Sequence, residues 1–122
     1  NLTITCFLLG TNHLPDFGGK IIIFEDINED LYKIDRMFTY LRMSNKLKDA
    51  VGIGFGNFFN PKNSDQQITL NNLILESFKE LGIPIISDLP IGHSPGNACV
   101  PFGFKGILNC NKGTLSVNIN IS

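Results

Sequence analysis

Between Lys20 and Leu41 the spacing of apolar residues changes from continuous to helical, and this change constrains the fold more than any other feature of the chain. Ile21, Ile22, Ile23 and Phe24 form an unbroken apolar run, the pattern of a strand covered on both faces. From Asn28 the apolar positions become Leu31, Ile34, Phe38 and Leu41, the stripe of an amphipathic helix of about 16 residues, with Glu29 and Asp30 favouring its N-terminus. The alternation then repeats. Ala50 to Phe55 reads as a strand, Leu70, Leu73, Ile74, Phe78 and Leu81 as the buried stripe of a second helix, and Ile83 to Ile86 as a further strand. Thr69 is the expected N-cap of the second helix, with Ile68 and Leu73 as its hydrophobic staple, and Gly82 followed by Pro84 ends it. Strands alternating with helices imply right-handed crossovers and a parallel sheet, hence the α/β class with two main helices.

The remaining segments complete the expectation. Leu2 to Leu9, a β-prone run stopped by Gly10, predicts an additional opening strand. NFFNPKNSDQQ and LPIGHSPGNACVPFG are too rich in turn formers to be regular structure. Leu115, Val117, Ile119 and Ile121 alternate with polar residues after the turn Asn111-Lys112-Gly113, which predicts a half-buried antiparallel appendage at the C-terminus.

Composition removes several classes of function. At 122 residues and 43% apolar, the chain suits one domain, residues 1–122, with a real core. Ten basic residues stand against eleven acidic ones without a cationic cluster, which argues against nucleic acid and membrane surfaces as partners. The apolar runs are far too short to span a bilayer, so a soluble chain is expected. Cys6, Cys99 and Cys110 lack C-x-x-C spacing and read as reduced thiols. His13 and Asp16 flank Leu14-Pro15 in a turn and read as surface residues, so no metal is expected. Gly52, Gly54 and Gly56 do not complete a dinucleotide fingerprint, and close backbone packing explains them better than a cofactor. No initiator methionine or leader opens the chain, which reads as part of something longer.

Chemistry concentrates at two places. In parallel sheets, ligands collect outside the carboxyl ends of the strands. Glu25 ends one such strand, and the loop carrying His93 begins just after another. Asp26 and Glu29 have capping-box spacing, so Asp26 is the expected helix cap and Glu25 is left without a structural task. A carboxylate bonded to one imidazole nitrogen fixes the tautomer and leaves the other to accept a proton from a hydroxyl nucleophile, so Glu25 and His93 are candidates for two members of a triad, beside the plainer readings of a helix-end acid and an exposed loop histidine. The nucleophile is missing. No serine lies in a strand-to-helix nucleophile elbow: Ser94 has G-x-S-x-G spacing with Gly92 and Gly96 but sits in the turn-rich loop and diverges from its neighbour His93, and ACVPFG offers Cys99 no electropositive setting.

The segments NLTI, GT at 10 and 11, GKIIIFEDINEDLYKIDRM from Gly19, GIGFGNF and IPIISDLPIGHSPGNACVPFG together resemble the C-terminal half of the LD-carboxypeptidase family, serine peptidases that include the microcin C immunity proteins. The resemblance runs through essentially the whole chain and places the family's glutamate on Glu25 and its histidine on His93. It implies a swivelling β/β/α-type domain, with the catalytic serine on a separate N-terminal domain outside these residues. It also implies a cytoplasmic enzyme that removes the terminal D-alanine from murein tetrapeptides in cell-wall recycling, without cofactor. The partners implied are the chain's own N-terminal domain and a muropeptide; a homodimer is left open. On this reading the isolated chain is inactive. Two alternatives stand beside it: an immunity peptidase cleaving a peptidyl-nucleotide, and a non-enzymatic interaction domain. Only the last expects Glu25 and His93 to lie far apart.

Overall fold

The computed structural model describes residues 1–60 and 67–119. Helix α1 (Leu2–Leu8) is followed by strand β1 (Ile21–Ile27), helix α2 (Leu31–Met43), strand β2 (Gly52–Phe59), helix α3 (Gln67–Phe78) and strand β3 (Ile85–Ile86). A hairpin of β4 (Lys105–Asn109) and β5 (Thr114–Asn118) completes it. The first three strands form one parallel sheet with β2 in the centre, and the hairpin is an antiparallel sheet of its own. This is the expected α/β architecture: a short parallel sheet, helices joining its strands and an antiparallel C-terminal appendage.

The two faces of β2 explain why its residues alternate. Ile53 and Phe55 are fully buried in the core shared with the helices, where the Phe38 ring packs 5.5 Å from Phe55 and 4.9 Å from Phe78. Burying several aromatic rings in one cluster removes a large apolar area from water, the main force fixing the helices on this face. Gly52, Gly54 and Gly56 occupy the other face. A Cβ on Gly52 would come within 3.0 Å of Leu108 of the hairpin, and one on Gly54 within 2.7 Å of Leu89. One on Gly56 would strike the Ile91 carbonyl. Bare backbone here lets the chain after β3 lie directly on the sheet edge, with Leu89 N–H donating to Phe55 O at 3.0 Å. Close packing is thus the work of the G-x-G-x-G string.

Four local expectations are corrected. Leu2 to Leu8 is a helix, not a strand: Asn1 caps it by accepting the Ile4 N–H at 3.0 Å, and Leu2, Cys6 and Leu9 turn one face to the core. A good cap and a buried stripe outweigh the weak β preference of Ile and Thr. Asp26 does not cap α2, whose N-cap is Asp30; it lies within β1, buried, and the helix runs 13 residues. Thr69 sits exposed inside α3, which starts at Gln67. Finally, Asn57 to Phe59, expected in a loop, extend β2, while 61–66 of that stretch lie outside the described residues. Strand β4 lies in a stretch for which no element was expected, and Ile121 of the predicted tail lies outside the described residues.

Candidate active site

Glu25 and Asp26 are neighbours near the carboxyl end of β1, and the strand's alternation sends them to different partners. Asp26 is 3% exposed and turns to α1, accepting the Thr3 N–H at 2.8 Å and the Thr3 hydroxyl at 2.7 Å. It also accepts a bond of 3.2 Å from the Asn1 side-chain amide, so the first turn of α1 is fastened to the end of the strand. Glu25 turns instead to the loop after β3. Its Oε2 lies 3.0 Å from His93 Nδ1, across 68 residues of sequence. The glutamate side chain is mostly covered, and the imidazole is 52% exposed.

The chemistry of this contact follows from its geometry. An ionised carboxylate only accepts hydrogen bonds, so in the neutral imidazole the proton resides on Nδ1 and the lone pair on Nε2. Such a ring is a base aimed outward, with a negative charge behind it to stabilise the imidazolium once a proton arrives. The Asn1 amide lies 3.4 Å from Glu25 Oε1, a long contact on the oxygen opposite His93.

Loop 89–98 has no regular structure and is held by specific bonds. Gly92 N–H donates to Asn97 Oδ1 at 3.0 Å, and Ala98 N–H to Pro90 O at 2.6 Å. Gly92 itself has φ +128°, and a Cβ there would lie 3.1 Å from Asn57 O and 3.4 Å from Glu25 Oε2. Glycine is favoured by this φ and by the close approach of the loop to the Asn57 carbonyl, with Glu25 in van der Waals contact beside it. Ser94, beside His93, has its hydroxyl engaged by the Asn57 amide.

The cysteines stand apart from this pair. Cys99 and Cys110 are exposed free thiols. Cys6 is partly buried between α1 and α2, and burial, reinforced by the charge of Asp26, pushes its thiol up to about 11. A thiol so raised is a poor nucleophile at neutral pH. Among the described residues no group of three or more His, Cys, Asp and Glu side chains is arranged to hold a metal ion, and no helix is long and apolar enough to cross a membrane.

The structure therefore brings together both residues singled out in the sequence, Glu25 and His93. It adds Asn1, Asn57, Asn97 and Gly92, which sequence reasoning left without a role. Asn97 carried a faint signal, an Asx residue in a Gly/Pro-rich loop, whereas Asn57 gave none because its task depends on strand register.

The family model of the LD-carboxypeptidase C-terminal domain matches residues 1–108. A Synechocystis sp. protein provisionally named a carboxypeptidase is 39% identical over 95% of this chain and 39% of its own length. A Bacillus subtilis protein named a probable murein peptide carboxypeptidase is 33% identical over the whole chain and again 39% of its own length. Among solved structures, muramoyltetrapeptide carboxypeptidase from Oxalobacter formigenes superposes with a TM-score of 0.71 at 30% identity, covering 87% of this chain and 38% of that one. The chain thus spans about two-fifths of the length of the relatives it matches. Over that span, it belongs to the LD-carboxypeptidase family and corresponds to its C-terminal domain.

Proposed function

We propose that this domain supplies the general base, His93, and its orienting carboxylate, Glu25, to a cytoplasmic serine peptidase that removes the terminal D-alanine from murein tetrapeptides during cell-wall recycling. The observation that carries this reading is the 3.0 Å contact between Glu25 Oε2 and His93 Nδ1 at the carboxyl edge of a parallel sheet. The names of its relatives, a murein peptide carboxypeptidase and a muramoyltetrapeptide carboxypeptidase, support the substrate class. The serine and the oxyanion donors belong to a separate N-terminal domain.

In this mechanism His93 Nε2 takes the serine proton as the serine oxygen adds to the carbonyl of the peptide bond preceding D-alanine. Glu25 stabilises the resulting imidazolium. Collapse of the tetrahedral adduct breaks the C–N bond, and His93 returns the proton to the departing amine. Water, deprotonated by the same imidazole, then releases the acyl group from the serine. An imidazole exposed over half its surface is open to a second domain, while its partner carboxylate stays covered. The interaction-domain alternative expects Glu25 and His93 to be apart, and their contact counts against it.

The test measures D-alanine release from an L,D-tetrapeptide. The serine-bearing parent should turn over and its His93→Ala variant should not, while the 122-residue chain alone should be silent. A parent that is indifferent to His93→Ala would overturn the reading, as would turnover by the isolated chain that depends on His93.

A further inference from the structure

The imidazole of His93 is half exposed and rides on an irregular loop, so packing alone does not set its position. The register of the sheet shows what does. Phe24 pairs with Phe55 and Asp26 with Phe58, so the single residue Glu25 is opposed by two residues of β2, Gly56 and Asn57. This is a β-bulge, a device that re-aims the extra residue away from the ladder. The Asn57 N–H, facing the β3 side of the sheet, donates to Ile91 O at 2.7 Å, and the Asn57 side-chain amide donates to Ser94 Oγ at 2.5 Å. Ile91 and Ser94 flank the Gly92-His93 pair on either side. The Ile91 carbonyl can approach because Gly56, the other bulge residue, has no Cβ to meet it.

We propose that Asn57 is a positioning residue, whose placement in the bulge opposite Glu25 lets one strand residue clamp both sides of His93 and bring the imidazole onto the carboxylate. Glu25 and the clamp stand on adjacent, hydrogen-bonded strands, so the distance between carboxylate and base is set by sheet register rather than by the loop. The backbone half of the clamp is independent of side-chain identity. The Asn57 to Ser94 bond is the half that mutation can remove. Its catalytic consequence rests on the proposed function above; its structural consequence does not.

The experiment follows solvent exchange of the His93 Nδ1 proton by NMR in the 122-residue chain at pH about 8, where an ordinary imidazole is neutral, with exposed His13 as internal reference. Asn57→Ala and Ser94→Ala remove the same bond from its two ends. Each should speed exchange by about three- to tenfold, the factor expected for one hydrogen bond, and the double variant should add nothing further. The urea midpoint should shift much less than the exchange rate. Unchanged exchange in either foldable single variant overturns the proposal, as does acceleration that merely tracks global unfolding. If Asn57→Ala does not fold, Ser94→Ala alone decides. In the serine-bearing parent, kcat should fall by a similar factor with KM unchanged. Faster exchange with undiminished kcat would uphold the clamp and overturn its catalytic consequence, while the role of His93 itself is decided by His93→Ala.

Discussion

Replacing Gly92 by alanine tests how closely Glu25 and the His93 loop are fitted. Two costs combine. The φ of +128° lies in a region that L-residues rarely enter, a strain of about 1–3 kcal/mol. The new methyl also lands 3.1 Å from the Asn57 carbonyl and 3.4 Å from Glu25 Oε2. The carbonyl is the tight contact and belongs to a sheet strand that resists displacement, so the Gly92 backbone must shift, carrying the adjacent His93 with it and loosening its bond to Glu25. A hydrogen bond to a charged group contributes about 1.5–3 kcal/mol, and exposure of the imidazole places this one at the low end. The two together come to about 2.5–4.5 kcal/mol. Gly96 provides the control, because it shares the loop and a positive φ of +86°, but a methyl added there would meet nothing within 4 Å. Gly96→Ala should therefore carry only backbone strain, about 1–2 kcal/mol. Urea unfolding of both variants, at a shared m-value, measures the difference. Equal destabilisation would refute the claim that Gly92 is needed for the close approach of the His93 loop to β2.

Asp26→Ala should cost about 2–4 kcal/mol in urea unfolding and weaken the far-UV signal of α1, because it leaves the Thr3 N–H and hydroxyl without their buried acceptor. At pH about 8, a thiol reagent should modify exposed Cys99 and Cys110 well before Cys6, whose thiol is held up at about 11 by burial and secondarily by Asp26. The unfolded thiol loses its proton first as pH rises from 9.0, so the contribution of Cys6 to stability is intact below that pH and is lost on approach to about 11. A Cys6→Ala variant should show a shallower alkaline decline in stability than the parent chain; an identical decline would contradict the assignment.

The sequence disclosed the sheet and the pair at its edge for one reason: both depend on patterns that local composition displays. The apolar run ending in Glu25 announced a buried strand, and the Gly/Pro-rich stretch around His93 announced a loop at the same edge. What stayed hidden depends on long-range partners. The β-branched run after Asn1 looked like a strand because its helical state is secured by Asp26, 23 residues beyond Thr3. Asp26 resembled a helix cap since its spacing to Glu29 suits one, yet the strand runs on through it to Ile27. The bulge that aims Asn57 is a mismatch between two strands and has no signature in either alone. Strand β4 went unseen because Lys105 to Asn109, paired with β5, alternates weakly in burial.

Whether Glu25 serves the imidazole or only ends a strand is decided by Glu25→Gln in the proposed serine-bearing parent. Glutamine keeps the size of the side chain, but it removes the charge behind His93, and its NH₂ group can select the wrong tautomer. The measurement is kcat for D-alanine release beside thermal unfolding of the same protein. The expected result is a loss of about 10² to 10⁴-fold in kcat with the melting temperature nearly unchanged. Near-normal turnover at unchanged melting would contradict it and leave Glu25 as an acid at the end of a strand.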